Sequence, residues 1–335
     1  MKLLYFSVIE RHRSWGAEWS LNTAFHELGH RTVCIDYREN RLRLAAAAKR
    51  CPEVDALLVQ RGDRFPPELL RAAKVPCFFL ATELFRRRDD QHPLFRCGAL
   101  AHVFVRTQAC ADAIVERGWQ PAERVSILRS AFDPALHRKL PDVASRDLGV
   151  LFVGGLTERR RRLLRSLPPD LDVTVTKAFG EEMVRYLNRA KIVLNLHADD
   201  DPDTETRIYE ALGAGSFVVT EKLSAENPFT SRELVEVDRL EDLEATLRHY
   251  LAHEGERERI AANGHAAARR DHTYRARAER IAAVIAAHGA ACGPRAPFAA
   301  DAAWLRFRAA ESRQRAMALI RRAARLAAPR RRQAS

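Results

Sequence analysis

The stretch Thr204–Glu221, TETRIYEALGAGSFVVTE, holds the chain's most promising arrangement of reactive side chains. Glu205, Arg207 and Glu210 sit in the opening turns of a short helix, which stops at the glycine pair Gly213 and Gly215 and runs into an apolar strand, Phe217–Thr220. Before it lie the apolar run Ile192–His197 and a loop of acids, Asp199, Asp200, Asp201 and Asp203. Strand, acidic loop, helix, glycine turn and strand make a βαβ unit. Such units take ligands at the carboxyl ends of their strands, against helix N-termini, where backbone N–H groups lack partners. A second stretch, His26-Glu27-Leu28-Gly29-His30, matches H-E-x-x-H, in which two histidines on one helical face bind zinc and the glutamate is the base. That chemistry needs a continuing helix and a third ligand downstream. Here Gly29 is followed at once by Thr32-Val33, which reads as strand, so His30 falls in a turn. Val33 and Asp36 stand where the extended motif needs a Gly and a third His. The spacing predicts a surface His26 and a turn His30, and leaves a zinc peptidase as the less favoured reading.

The elements that must position these residues alternate regularly. Leu3–Ile9 is a continuous apolar run, the signature of a buried parallel strand. A helix from about Ala17 to Leu28 follows, then strands at Thr32–Ile35, Ala56–Gln60, Pro76–Ala81, His102–Val105 and Val125–Leu128. Short helices fall at Pro66–Ala73 and Gln108–Arg117. No G-x-G-x-x-G follows the first strand, so a dinucleotide cofactor has little support. Asp133–Asp147, with Pro134 and Pro141, reads as a linker, because a new alternation starts after it. Its strands are Gly149–Val153, Asp172–Thr176, Ile192–His197, Phe217–Thr220 and Leu234–Val237. Gly154-Gly155 reads as a tight turn. Thr157 caps a helix carrying Arg159 to Arg162, and Leu240–Leu251 is amphipathic.

Composition narrows the class. The 335 residues suit two α/β domains, and 47% hydrophobic with 30% charged residues describes a soluble globular chain. No apolar run reaches the length of a membrane span, and the N-terminal MKLLYFSVIERHR lacks a small-residue cleavage site. The six cysteines are scattered without a C-x-x-C pair, which fits a reducing cytoplasm. From Arg295 to Ser335, eleven Arg against Asp301 and Glu311 carry +9 of the formal +12. The basic character belongs to that tail, so the core is not expected to bind nucleic acid. Within the tail, Leu319, Ile320, Ala323, Leu326 and Ala327 share one helical side, with Arg321, Arg322 and Arg325 elsewhere. A basic amphipathic helix suits an anionic membrane surface; nucleic acid and disorder are the alternatives.

The second half resembles the group-1 glycosyltransferases of the GT-B fold, and within them the CgeB-like glycosyltransferases. The matching pieces are FVGG at Phe152–Gly155, AKIVLNLH at Ala190–His197, ETRIYEALGAGSFVVTE at Glu205–Glu221, ERERIAANG at Glu256–Gly264 and HTYRARAERI at His272–Ile281. LGHRTVCID at Leu28–Asp36 looks like a turn common near the start of such enzymes, which accounts for HELGH without zinc. The resemblance implies an α/β fold of GT-B type: two Rossmann-like domains facing a cleft, at residues 1–140 (acceptor side) and 147–288 (nucleotide-sugar side). The last helix crosses back to the first domain, and the basic helical tail is 295–335. It implies a metal-independent transfer of a sugar from a nucleotide-sugar donor, a substrate rather than a cofactor, to a hydroxyl of an unknown acceptor (a glycan, lipid-linked sugar or small molecule). No metal or other cofactor is expected. The location implied is cytoplasmic, with peripheral contact at the membrane's inner face as one reading of the tail.

The resemblance also gives the candidates roles. Bond cleavage builds negative charge on the departing diphosphate, which pre-placed donors stabilise. The N-terminus of the helix at Thr206, the Arg207 guanidinium, Gly154 and Gly155 with close backbone approach, Arg159 beyond them and Lys177 at a strand end are the donor-side candidates. Arg207 could instead pair with Asp203, and of Arg159–Arg162 one at most is expected in the site. Glu210 resembles the second Glu of the family's E-x7-E motif, which binds ribose hydroxyls. The first Glu would fall at 202, where the chain has Pro202. Asp201, Asp203 or Glu205 could substitute, or the role is absent, as in a non-catalytic nucleotide- or sugar-binding relative. The stereochemical outcome stays open. On the acceptor side, Glu10, Arg61, Glu83 and Arg106 follow strands. Glu83 is the candidate base, or else a loop carboxylate paired with Arg86 or Arg87. Trp15 and Trp19 could line the acceptor site or pack a helix.

Overall fold

Among the described residues, eleven apolar runs pair into two wholly parallel sheets. The computed structural model describes residues 1–327 apart from 86, 88, 144, 201 and 290–293. The first domain runs β1 (Lys2–Ser7), α1 (Ala17–Glu27), β2 (Arg31–Asp36), α2 (Leu44–Lys49), β3 (Ala56–Gln60), α3 (Pro67–Ala72), β4 (Cys77–Leu80), α4 (His92–Phe95), β5 (Leu100–Val105), α5 (Gln108–Glu116) and β6 (Val125–Ile127). Its strand order is β2-β1-β3-β4-β5-β6. The second domain runs β7 (Leu148–Val153), α6 (Glu158–Ser166), β8 (Val173–Thr176), α7 (Gly180–Arg189), β9 (Ala190–Asn195), α8 (Thr206–Gly213), β10 (Val218–Glu221), β11 (Val235–Val237), α9 (Leu243–Ala252) and α10 (Glu254–Asp271), with order β11-β10-β9-β7-β8. The α/β expectation and all eleven strands hold. α2 and α4, which have no clear sequence period, were not foreseen.

Each sheet reverses its winding once, between β1 and β3 and between β7 and β9. At such a point the connections leave to opposite sides and open a crevice beyond the carboxyl ends of the strands. The two crevices face each other. α11 (Tyr274–Gly289) crosses from the second domain to pack on α1, and its Ala278, Ile281 and Ile285 are buried against Leu3, Tyr5, Phe25 and Phe78. At the crossing, Phe132 and Thr273 form a parallel bridge. Arg277 donates to the carbonyls of Arg129 and Ser130, at 2.8 Å each.

The tail differs from expectation. α12 (Ala302–Ala327) is helical, but its first half is built into the first domain. Trp304 and Phe307 are buried in that domain's core, and bridges join Arg295 to Val54 and Phe298 to Ala73. The Glu311 carboxylate accepts from the Ala45 amide at 3.0 Å. The reason is that Trp304 and Phe307 each gain about 1.5–3 kcal/mol on burial, while the arginines of the same segment point outward. Beyond Glu311 the face is open, and Leu319 and Ile320 are 61% and 60% exposed. Residues 328–335 and the side chains of Arg322 and Arg325 from the expected basic side, and of Leu326 and Ala327 from the expected apolar side, lie outside the described residues.

Candidate active site

The carboxyl ends of both sheets line one interdomain cleft of about 430 Å³. Its second-domain wall starts at β7. Neither Gly154 nor Gly155 has a positive φ, so the backbone does not require glycine there. What glycine supplies is room: a Cβ on Gly155 would meet nothing within 4 Å, so the backbone stands open to the cleft. α8 comes next. Its N-cap is Glu205, and no side chain caps the first turn. Its unfilled N–H groups and its positive dipole end therefore face the cleft, where an anion would satisfy them.

Arg207 and Glu210 line the same wall, bonded to each other at 2.6 Å, at 17% and 16% side-chain exposure. The expected alternative partner of Arg207, Asp203, belongs instead to Arg106 across the cleft, at 2.6 Å. Arg207 keeps a buried Nε with no acceptor. Beside it is His137, 2% exposed, whose Nε2 lies 3.7 Å from a Glu210 oxygen and also lacks a hydrogen bond. Its Nδ1 faces the backbone N–H and C=O of Asp133, at 3.3 and 3.2 Å. Burial pushes the imidazole below its ordinary pKa, outweighing the pull of the Glu210 carboxylate, so it is neutral at pH 7. We assign the proton to Nε2, because the fixed Asp133 N–H points at Nδ1 while the Asp133 carbonyl already accepts from the His137 amide at 2.8 Å. Two buried N–H donors without acceptors thus stand at an uncapped helix N-terminus. Buried polar groups are rarely left so, and an anionic ligand would satisfy both.

Two donor-side candidates are corrected. Arg159 does not line the cleft; it forks onto Glu221 at 2.6 and 2.9 Å and reaches Asp200 at 3.1 Å. Arg160 lines it instead, bonded to Glu205 at 2.8 Å and to the carbonyls of Leu196 and Gly155. The cap decides this phase: Thr157 accepts from the Arg160 amide and fixes which of the four arginines turns inward. Lys177 is exposed and off the cleft lining, although Phe179 and Gly180, which follow it, belong to that lining. Thr206 is in place, its hydroxyl 3.1 Å from that of Ser130. Around Pro202, Asp203 and Glu205 are both paired, with Arg106 and Arg160, and Asp201 lies outside the described residues.

The first-domain wall gathers Trp15, Glu18, Arg61, Glu83 and Arg106. Arg61 is its centre, 3.5 Å from Glu83, 3.8 Å from Glu18 and 3.2 Å from Asp63. Glu83 does not pair with Arg87, which forks onto Asp199 of the other domain at 2.6 and 2.8 Å; Arg86 lies outside the described residues. Glu18, buried in the first turn of α1, was not anticipated from sequence. Its ionic contacts, to His12 at 3.7 Å and to Arg61, are long. Trp15 bridges the cleft to Phe179, with ring centroids 4.7 Å apart. Trp19 and Glu10 lie off it. The HELGH segment makes no metal site: α1 ends at Glu27, His26 bonds Thr32 at 2.7 Å and His30 faces the Met1 amine. No group of three His, Cys, Asp or Glu side chains comes together for a metal among the described residues.

Residues 159–283 match the family model described as glycosyl transferase-like. No curated protein matches the chain. Among solved structures, Anabaena HepE in complex with UDP-glucose is 14% identical, covers 86% of this chain and 100% of its own, and has a TM-score of 0.62. Sucrose-phosphate synthase from Thermosynechococcus elongatus gives 12%, 87%, 100% and 0.64. WaaG, a glycosyltransferase involved in lipopolysaccharide biosynthesis, gives 12%, 85%, 99% and 0.58. The chain thus has the GT-B fold, and its second domain carries the match to the glycosyltransferase-like family model.

Proposed function

We propose that the protein is a glycosyltransferase that moves a sugar from a nucleotide-sugar donor to an acceptor hydroxyl, without a metal ion. The observation that carries this is the pair of buried, unsatisfied donors, Arg207 Nε and His137 Nε2, at the uncapped N-terminus of α8. The diphosphate is placed there, Gly154 and Gly155 give it room, and Glu210 turns to the ribose diol. In the reaction the bond from the anomeric carbon to the diphosphate oxygen breaks, and its electron pair leaves with the diphosphate. A new bond forms from the acceptor oxygen to that carbon. The acceptor's proton passes to a first-domain carboxylate, Glu83 or Glu18. The guanidinium, the imidazole and the helix dipole stabilise the charge a cation would otherwise balance. Affiliation to the CgeB-like group is part of this proposal and rests on the motifs alone.

Release of nucleoside diphosphate from UDP-, GDP- and ADP-sugars tests it. Removing one oxyanion donor costs on the order of 10²–10³ in kcat, so Arg207→Gln should lose that much. Unchanged turnover in both Arg207→Gln and Glu210→Gln would sink the site assignment. A second reading, a nucleotide-sugar binder without turnover, is favoured by one observation: Asp203 and Glu205, the described acids nearest Pro202, are both committed to arginines. Donor binding by calorimetry with no product from any donor would establish it.

A further inference from the structure

A second cavity, of about 340 Å³, opens beyond the carboxyl ends of β2 and β3, lined by Tyr37, Arg38, Arg41, Leu44, Arg64 and Pro66 around Asp63. The loop that builds it is bent hard. Arg61, Gly62 and Arg64 have φ of 72°, 74° and 57°. Two non-glycine residues held in the left-handed region within four positions is strain of the kind found at binding sites. The buried Asp63 carboxylate organises the loop, accepting from the Tyr37 hydroxyl at 2.9 Å and from Arg38 at 2.6 and 3.0 Å. Arg61, 3.2 Å from Asp63, turns the other way to Glu18 and Glu83. The Arg61–Asp63 pair is therefore the wall between this pocket and the acceptor side of the cleft. Arg41 and Arg64 have no acidic partner among the described residues. Three arginines against one carboxylate, beside the apolar Leu44 and Pro66, make a positive pocket with two uncommitted guanidinium forks.

We propose that this pocket seats a phosphate group of the acceptor, whose reacting hydroxyl reaches past Arg61 into the cleft; this rests on the glycosyl-transfer reading above. Guanidinium forks match phosphate oxygens in geometry as well as charge, and the apolar wall receives the acceptor's carbon body. The phosphate is a handle and is not itself altered. It comes either from a soluble sugar phosphate or from a lipid. Between Arg41 and Leu44 of the lining, the Leu42 carbonyl accepts from Arg315 of α12 at 2.9 Å. Leu42 is exposed there, as are Met317, Leu319 and Ile320 further along α12.

Calorimetric titration of the full chain with inorganic phosphate at fixed ionic strength tests the pocket. The Arg207→Gln variant should keep a phosphate site that the Arg41→Gln/Arg64→Gln variant, short of two charge-assisted contacts, binds at least about tenfold more weakly. UDP affinity of the double variant should stay at the wild-type value. Arg41→Gln alone, with a smaller loss, covers misfolding of the double variant. Competition with phosphate at this site by glucose 6-phosphate marks the soluble source. Competition by phosphatidylcholine vesicles containing phosphatidic acid marks the lipid source. Undiminished phosphate binding in the double variant, or competition by neither probe, overturns the proposal. If phosphate occupies the pocket but no nucleotide binds the cleft, the glycosyl-transfer reading fails and the anion site stands.

Discussion

Replacing Arg207 by Gln separates the role of this residue from that of Glu210. In the free protein its guanidinium holds Glu210 at 2.6 Å, and its Nε is buried without an acceptor. The pair is largely buried, at 17% and 16% exposure, so its loss should lower global stability by about 1–3 kcal/mol, which a domain of ordinary stability survives. Its effect on ligand binding is read separately. A hydrogen bond to a charged group contributes about 1.5–3 kcal/mol net, which is about 10- to 150-fold in Kd. Arg207→Gln should lose that factor for both UDP and pyrophosphate, because the diphosphate is common to both. Glu210→Gln should bind pyrophosphate at least as well as the wild type, having lost a competing carboxylate. It should bind UDP about fivefold more weakly, by roughly the 1 kcal/mol of one hydrogen bond to a ribose hydroxyl. Calorimetric titrations at one ionic strength, with matched thermal melts, provide both numbers; fixed salt matters because exposed charges are screened. Pyrophosphate affinity within about twofold of wild type in Arg207→Gln would refute the placement of the diphosphate at α8.

Three further outcomes follow from the geometry. Arg106→Met should destabilise by about 3–5 kcal/mol, because it strands the buried Asp203 carboxylate across the domain interface; adding Asp203→Leu should recover much of this in urea melts, and additive losses would show the two are not coupled. His272 is buried beside Arg277, and burial, aided by that charge, lowers its pKa to about 4. The unfolded chain takes a proton near pH 6.5 that the folded state refuses, so stability is full above pH 6.5 and falls by about 3 kcal/mol as pH drops to about 4. His272→Asn, which keeps an acceptor for Arg277, should flatten that slope by about one proton, and an unchanged slope would contradict this. Trp304→Ala should cost about 3–5 kcal/mol and lower the melting temperature of the first domain, whereas an unaffected melt would mean that α12 is not part of that core.

Much of the fold was legible because buried parallel strands are short continuous apolar runs, which local sequence displays directly. LLYF, ALLV, CFFL and VLFV each became a strand. The short helices α2 and α4 were not legible, since four to six residues carry too little periodicity. HELGH shows local pattern read correctly: Gly29, with φ 78°, ends the helix before the second histidine. The tail shows the opposite. Its charge was visible, but the docking of Trp304 and Phe307 was not, because an amphipathic face does not say what it will cover.

The sequence by itself determined the α/β alternation and the placing of Arg207, Glu210, Gly154 and Gly155 at strand and helix ends. Those depend on spacing within one element. Tertiary structure alone decided which side chains face each other. It turned Arg160 rather than Arg159 inward and left Lys177 off the cleft lining. It also brought His137, from a stretch that reads as linker, to within 3.7 Å of Glu210. A residue's neighbours across a cleft are set by the packing of two separately folded sheets, and no local period encodes that distance.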